Sequence, residues 1–245
     1  MNHIKQKNKL NWNSIIITFT FISLVLAAIA ISIIIAFTPN TIDNNNPNAR
    51  IKSDYILMLM QCILGIAAII LPSILNKKIN FEIPYFMITL YAIFLYCAIF
   101  LGEVRSFYYR VPHWDTLLHA FSGAMIGALG FSIINFLNNS EVTHLNLTPI
   151  FVATFAFCFS GTLGIVWEMY EFFGDQIMGT NMQKFALETG ELLQGSAALA
   201  DTMKDLIVDL IGAFAMSTIG YISLKYKKGW IEKVLVKRRK NENKI

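Results

Sequence analysis

The sequence predicts an all-α fold, a polytopic membrane bundle of about six transmembrane helices. Three observations carry this expectation. Hydrophobic residues make up 55% of the 245 residues and charged ones only 15%, whereas soluble domains carry about 25% charged residues. The apolar residues fall in long unbroken runs, each able to cross the roughly 30 Å hydrocarbon layer of a bilayer as a helix. Most of the lysines and arginines lie in the two terminal segments and the Lys77-Lys78 turn, the kind of bias that sets the orientation of a membrane protein.

Residues 1–13 are polar and basic, with Lys5, Lys7 and Lys9. The first run, about 14–37, is too long for the apolar part of a signal peptide, and no clear cleavage site or twin-arginine pattern accompanies it. It is therefore expected to be an uncleaved span. An Asn/Pro-rich loop over 38–54 precedes the second span, about 55–75, and a short basic turn with Lys77 and Lys78 follows it. The third span is expected over about 84–101, then a loop with Arg105, Arg110 and Pro112. The fourth and fifth cover about 115–137 and 149–173. The longest loop, 174–200, is expected to hold a short helix around 182–193, before a sixth span at about 201–224 and a basic tail over 225–245. No internal repeat is evident, and the whole chain reads as one transmembrane domain.

The N-terminal segment, the Lys77-Lys78 turn and the tail should share the cytoplasmic side, with both termini inside. Arg50, Lys52, Arg105, Arg110 and Lys184 then lie on the opposite side against the bias. The net charge of +4 comes mostly from the two tails, so it reports topology and gives no sign of a nucleic-acid partner. Trp12 and Trp230 fall near one interface, Trp114 and Trp167 near the other. Cys62, Cys97 and Cys158 all sit inside apolar runs without CxxC spacing, which suggests neither a disulfide framework nor a zinc–thiolate site.

With this topology the acids stop looking scattered. Asp201, Asp205 and Asp209 recur at i, i+4 and i+8 and share one helix face. Asp209 lies about 12 Å deeper than Asp201 at 1.5 Å rise per residue. A row of acids running into a membrane costs about 2.5–3.5 kcal/mol per residue near the bilayer centre, so something must offset it. On the same extracytoplasmic side Glu103 ends span three, Asp115 and His119 open span four one turn apart, and Glu168, Glu171 and Asp175 close span five on one face. Small residues suit close approach of these helices: Gly123 and Gly127 as a GxxxG pair, Gly161 and Gly164, and Gly212, Ala213 and Ser217.

So many carboxylates cannot all stay ionised side by side: either several are protonated or cations sit among them. One histidine among carboxylate oxygens suits a divalent ion such as Mg, Mn, Fe or Zn. The candidate metal ligands are Glu168, Glu171, Asp201 and Asp205, with Asp115 and His119 as catalytic residues, ligand or general base. Asp175 and Asp209 are secondary candidates, and Arg105 and Arg110 are candidates to receive an anionic group. Plainer readings stand beside these. Asp115 and Asp201 each suit a helix N-cap. Lys204, Arg105 or Arg110 could neutralise an acid in a structural ion pair, and His119 could be a satisfied packing histidine. His113 reads as interfacial, Glu188 and Glu191 as solvated loop acids, and His3 and His144 carry no role.

Three stretches, WDTLLHAFSG from Trp114, WEMYEFF from Trp167 and LLQGSAALADTMKDLIVDLIGA from Leu192, resemble the YjdF-like bacterial inner-membrane proteins of unknown function. The shared features fall on Asp115, His119, Gly123, Glu168, Glu171, Gln194, Gly195, Asp201, Thr202, Asp205, Gly212 and Ala213, over roughly 114–213. More loosely, the order of Asp-xxx-His, Glu, Asp and Gly-Ala is similar to VanZ-like membrane proteins linked to teicoplanin resistance. The chain departs from the first pattern between Asp175 and Glu191. The resemblance implies a shared site and a place in the bacterial cytoplasmic membrane, but it supplies no reaction.

HExxH, a GxSG in a span, the lead motif of CDP-alcohol phosphotransferases, the Ser-Gly-His acid-phosphatase signature and a Walker A sequence are all absent. The leading expectation is a metal-dependent membrane enzyme acting on an outer-leaflet, phosphate-bearing lipid or wall precursor. The alternatives are a cation- or proton-coupled transporter and a non-catalytic membrane assembly or partner protein. Oligomeric state is not legible in the sequence.

Overall fold

The computed structural model describes residues 11–39, 50, 52–78, 81–138, 145–187 and 191–238. The readings on Lys5, Lys7, Lys9, His3, His144 and Glu188 lie outside these residues. The described chain is helical almost throughout: α1 (Trp12–Phe37), α2 (Lys52–Lys78), α3 (Tyr85–Leu95, continued by a π-helical stretch Tyr96–Val104), the short α4 (Phe107–Arg110), α5 (Trp114–Asn138), α6 (Pro149–Met178) and α7 (Ser196–Lys225). Six of them are long and apolar enough to cross a membrane, as the sequence predicts. Their outward faces carry large apolar residues, among them Ile29 and Ile33 on α1 and Ile165, Val166 and Phe172 on α6, so these helices meet the lipid of a bilayer.

The helices sort into two groups. In one, α1, α2 and α3 enclose Ala27, Ile31, Met58 and Cys62, and further along Ile69, Ala92 and Leu95. In the other, α5, α6 and α7 pack around Phe131, Ile134, Val152, Ala153 and Ala156. The α5–α7 pairing is the most extensive of the chain, and glycines are the reason. A Cβ on Gly123 would stand 2.2 Å from the Asp209 carbonyl oxygen, and one on Gly212 would stand 2.2 Å from that of Ala120. Backbone lies against backbone at this crossing, and only residues without a side chain fit there.

Several boundaries differ from expectation. α6 runs on past Gly174, which is buried beneath Met182 with its Sδ 3.2 Å from a would-be Cβ. That glycine serves packing and stops nothing. The helix ends instead at Gly179, whose φ of 64° is the left-handed conformation of a helix C-terminus. α7 starts at Ser196, five residues before Asp201, with Gly195 as its N-cap. Asp201 is therefore not a cap.

No helix forms around 182–193 among the described residues. Ala186 and Leu192 instead form an antiparallel bridge, and Leu193 donates its N–H to the Phe185 carbonyl at 2.9 Å. Side chains hold the chain in this path. Asn181 brackets Ala186, accepting its N–H at 3.0 Å and donating to its carbonyl at 2.7 Å. Local bonds of this kind compete with helix formation.

The tail also does more than set topology. Phe81–Glu82 (β1) pairs antiparallel with Lys237–Arg238 (β2), so the segment after α2 and the tail lie at one end of the bundle. Ile231 and Val236 are buried, and the Val236 N–H donates to Ser132 of α5.

Candidate functional site

The acids of α5, α6 and α7 meet at the end of the bundle opposite the β1–β2 pair. Their meeting point is His119, one turn into α5 and buried. The α5–α7 contact at Gly123 and Gly212 holds it close to α7. Its Nδ1 lies 3.2 Å from Asp209 Oδ2, and the Ser122 hydroxyl lies 2.9 Å from Asp209 Oδ1. Asp209 thus accepts on both oxygens. In the neutral ring, a proton on Nδ1 bonded to Asp209 leaves Nε2 as the nitrogen available to an ion. That nitrogen faces Asp115 Oδ1 at 3.7 Å and Asp205 Oδ2 at 3.9 Å.

These two separations are too long for hydrogen bonds. They do resemble the spacing of neighbouring ligands around one ion. Ligands about 2.1 Å from a tetrahedral metal stand roughly 3.4 Å apart. One ligand atom from each of Asp115, His119 and Asp205 fits within a mutual distance of 4.8 Å. A histidine whose other nitrogen is held by a carboxylate has the orientation of a metal-bound imidazole. Asp205 is only 2% exposed, and its Oδ1 has no hydrogen-bond partner.

A cation does reach the cluster, but it is neither Lys204 nor Arg105 nor Arg110, all of which are exposed. Lys184, from the loop between α6 and α7, binds Asp115 Oδ2 through its ammonium and stands 3.4 Å from Asp201 Oδ2. Burial works against its charge, but the charge of Asp115, the hydrogen bond to it and the charge of Asp201 outweigh burial and lift its pKa above the ordinary lysine range. The Tyr108 ring stands 5.9 Å from this ammonium. Burial, reinforced by Glu103 and Asp115, pushes the Tyr108 phenol well above its usual pKa.

Asp175, a secondary ligand candidate from the sequence, is spent on holding the Lys184 loop. It accepts hydrogen bonds from Thr180 Oγ1 at 2.5 Å, Met182 N at 2.7 Å and Gln183 N at 3.0 Å. Gln183 ties the loop to α7 through Thr202 Oγ1 at 3.0 Å.

The other expected residues are placed as follows. Asp115 lies in the first turn of α5, where a carboxylate also complements the helix dipole. Glu168 is buried and neither of its oxygens accepts a hydrogen bond. Glu171 turns away, accepting from Trp167 Nε1 at 2.9 Å on an outer face. Glu103 belongs to a separate contact, accepting from Gln61 Nε2 at 3.2 Å. Lys184 and Ser122 were missed as site residues. The signal for Lys184 was present: it is a lysine against the charge bias, on the side where the acids gather.

Replacing Lys184 with Met would leave Asp115 and Asp201 without their shared cation. Surface pairs contribute up to about 1 kcal/mol, and breaking a buried pair costs about 3–5 kcal/mol. Lys184 is 28% exposed on its side chain, so the expected loss is intermediate, about 1–3 kcal/mol. A pKa raised on folding gives stability that is present below the unfolded value of about 10.4 and lost as pH rises through the higher folded value. The gap in thermal midpoint between Lys184→Met and the parent, measured in detergent, should therefore stay constant from about pH 7 to 9.

A family model described as predicted membrane protein, DUF2238, matches residues 20–226. An uncharacterized protein of Thermotoga maritima is 27% identical over 153 residues, covering 61% of this chain and 69% of that protein. No solved structure matches. These findings agree with the resemblance to a membrane family of unknown function drawn from the motifs.

Proposed function

The chain belongs to the DUF2238 family of predicted membrane proteins, and we propose that it binds a divalent cation at Asp115, His119 and Asp205 and uses it in a metal-dependent membrane reaction. One observation carries this reading: His119 Nε2 lies 3.7 Å from an Asp115 oxygen and 3.9 Å from an Asp205 oxygen while Asp209 holds the opposite nitrogen. A mixed nitrogen and oxygen donor set suits Mn, Fe or Zn, and Mg to a lesser degree.

Such an ion supplies Lewis acidity and a bound water of lowered pKa. Asp209 fixes the imidazole. Lys184 neutralises Asp115 and Asp201 at the mouth of the site, nearer to solvent than His119. The substrate class that fits a site at the membrane end of a bundle is a phosphate-bearing lipid or wall precursor, with the site facing the outer leaflet of a bacterial cytoplasmic membrane. Lys184 replaces Arg105 and Arg110 as the cation nearest to where such a phosphate would approach.

The test is the metal content of the detergent-purified protein after incubation with Mg, Mn, Fe and Zn salts and removal of free ion. At least one ion per chain is expected. No retained ion from any of the four salts overturns the reading.

A second reading rests on the same histidine. Its two nitrogens face carboxylates at different depths, Asp115 and Asp205 above and Asp209 below, as in a proton relay of a transporter. Saturable, pH-driven ion flux in vesicles, lost in His119→Ala, would favour it over the enzyme.

A further inference from the structure

Buried polar atoms in a folded protein normally have partners, and carboxylates on two neighbouring helices of the site are exceptions. Glu168 on α6 is 5% exposed, and both its carboxylate oxygens are buried without a hydrogen bond. Oδ1 of Asp205 on α7 is in the same condition. Neither carboxylate forms an ion pair with Lys or Arg among the described residues, and Lys184 is committed to Asp115 and Asp201. The Gln183 amide gives one N–H to Thr202 and comes near Glu168.

The helix register places these orphans together. α6 and α7 run antiparallel, with Phe157 against Phe214 and Gly161 against Leu210. One turn further, Gly164 lies against the Asp209 side chain, 3.0 Å from Oδ2 to a would-be Cβ. Glu168 is the next residue outward on that face of α6, four beyond Gly164. Asp205 is the next outward on α7, four before Asp209. Glu168 and Asp205 therefore form the next layer of the same contact. The third side of that layer is His119 of α5, whose Nε2 lies 3.9 Å from Asp205 Oδ2.

We infer that Glu168 and Asp205 hold a second divalent cation beside the first, with Asp205 as the shared carboxylate. The inference rests on the proposed cation site: Asp205 Oδ2 lies 3.9 Å from His119 Nε2, and its Oδ1, buried without a partner, is left for the second ion. Glu171 has turned to Trp167, and Asp175 is spent on the loop, so Glu168 is the α6 carboxylate left for the task. The donors at this second position are all oxygen, the preference of Mg and Mn. Paired ions about 3.5–4 Å apart clamp both the attacking and the leaving oxygen of a phosphoryl displacement. That points the proposed reaction towards hydrolysis or transfer at a phosphate ester and away from single-ion carbonyl chemistry.

The experiment is to load the purified protein with Mn(II), remove free ion, and measure manganese per chain together with the electron paramagnetic resonance spectrum. Two ions per chain and an exchange-coupled spectrum are expected. Glu168→Gln should retain one ion and show the isolated six-line signal. Glu168→Asp, which keeps the charge but withdraws it by one methylene, should hold the second ion at reduced occupancy. One ion per chain in the parent, with an isolated signal that Glu168→Gln leaves unchanged, overturns the second site while the first stands; Glu168 and Asp205 then share a proton. No ion in the parent overturns the underlying reading as well. If neither variant folds, the stoichiometry and coupling of the parent decide by themselves.

Discussion

Asp205→Asn should abolish stoichiometric divalent-cation binding and at the same time leave the ion-free protein no less stable. Two features of Asp205 drive these opposite effects. It supplies an oxygen to the Asp115–His119–Asp205 group, and its remaining oxygen is buried without a partner. Leaving a buried polar group unsatisfied costs about 1–3 kcal/mol, more when it is charged. An amide of the same shape removes the charge, so the ion-free variant should melt at or above the parent's midpoint.

Binding of an ion at 100 times its Kd should raise the parent's stability by about 2.7 kcal/mol. For a chain of this size that corresponds to a shift of roughly 5–10 °C in thermal midpoint. The variant should show no shift. Thermal unfolding in detergent with and without Mn or Zn reads both effects. A variant that keeps the metal-induced shift would remove Asp205 from the site. A variant that melts far below the parent without metal would make Asp205 a structural residue.

Gly123→Ala and Gly212→Ala should each drive α5 and α7 apart, whereas Gly127→Ala should be tolerated. The new Cβ would stand 2.2 Å from a backbone oxygen in the first two cases, against a nearest approach of 3.5 Å at Gly127. Ordinary contact begins near 3.4 Å, so the helices must separate by about 1 Å, and backbone cannot rotate out of the way as a side chain can. Overpacking of this kind costs about 1–3 kcal/mol, occasionally more.

The larger consequence is at the site. His119 lies one turn from Gly123, and Asp209 is the residue Gly123 touches. The same displacement enters the His119–Asp209 contact directly. Misplacement by about 1 Å lowers the rate of a positioned reaction about 100-fold. The expected result is a lower midpoint and reduced cation retention for Gly123→Ala and Gly212→Ala, with Gly127→Ala near the parent in both. Equal behaviour of the Gly123 and Gly127 variants would show that the α5–α7 crossing is not where the structure places it.

The same contrast separates what was legible in the sequence from what was not. Hydropathy determined the six spans, because a bilayer requires long runs of apolar residues whatever their partners. Helical periodicity determined that Asp201, Asp205 and Asp209 share a face and that the acids of α5, α6 and α7 gather at one end of the bundle. These properties belong to a single helix or to the order of helices.

The identity of the ligating atoms belongs to neither. Gly123 and Gly127 look alike in a GxxxG pair, yet a Cβ would stand 2.2 Å from backbone at the first and 3.5 Å from it at the second. Glu168, Glu171 and Asp175 share a face, yet the first is left without a hydrogen bond, the second goes to Trp167 and the third to a loop. Lys184 enters the site from a loop whose path is set by Asp175 and Asn181, where no period exists to read. The sequence by itself determined which residues lie at the same membrane depth. Only the tertiary structure decided which oxygens face His119, because that depends on helix rotation and on contacts a fraction of an ångström wide, to which one-dimensional patterns are blind.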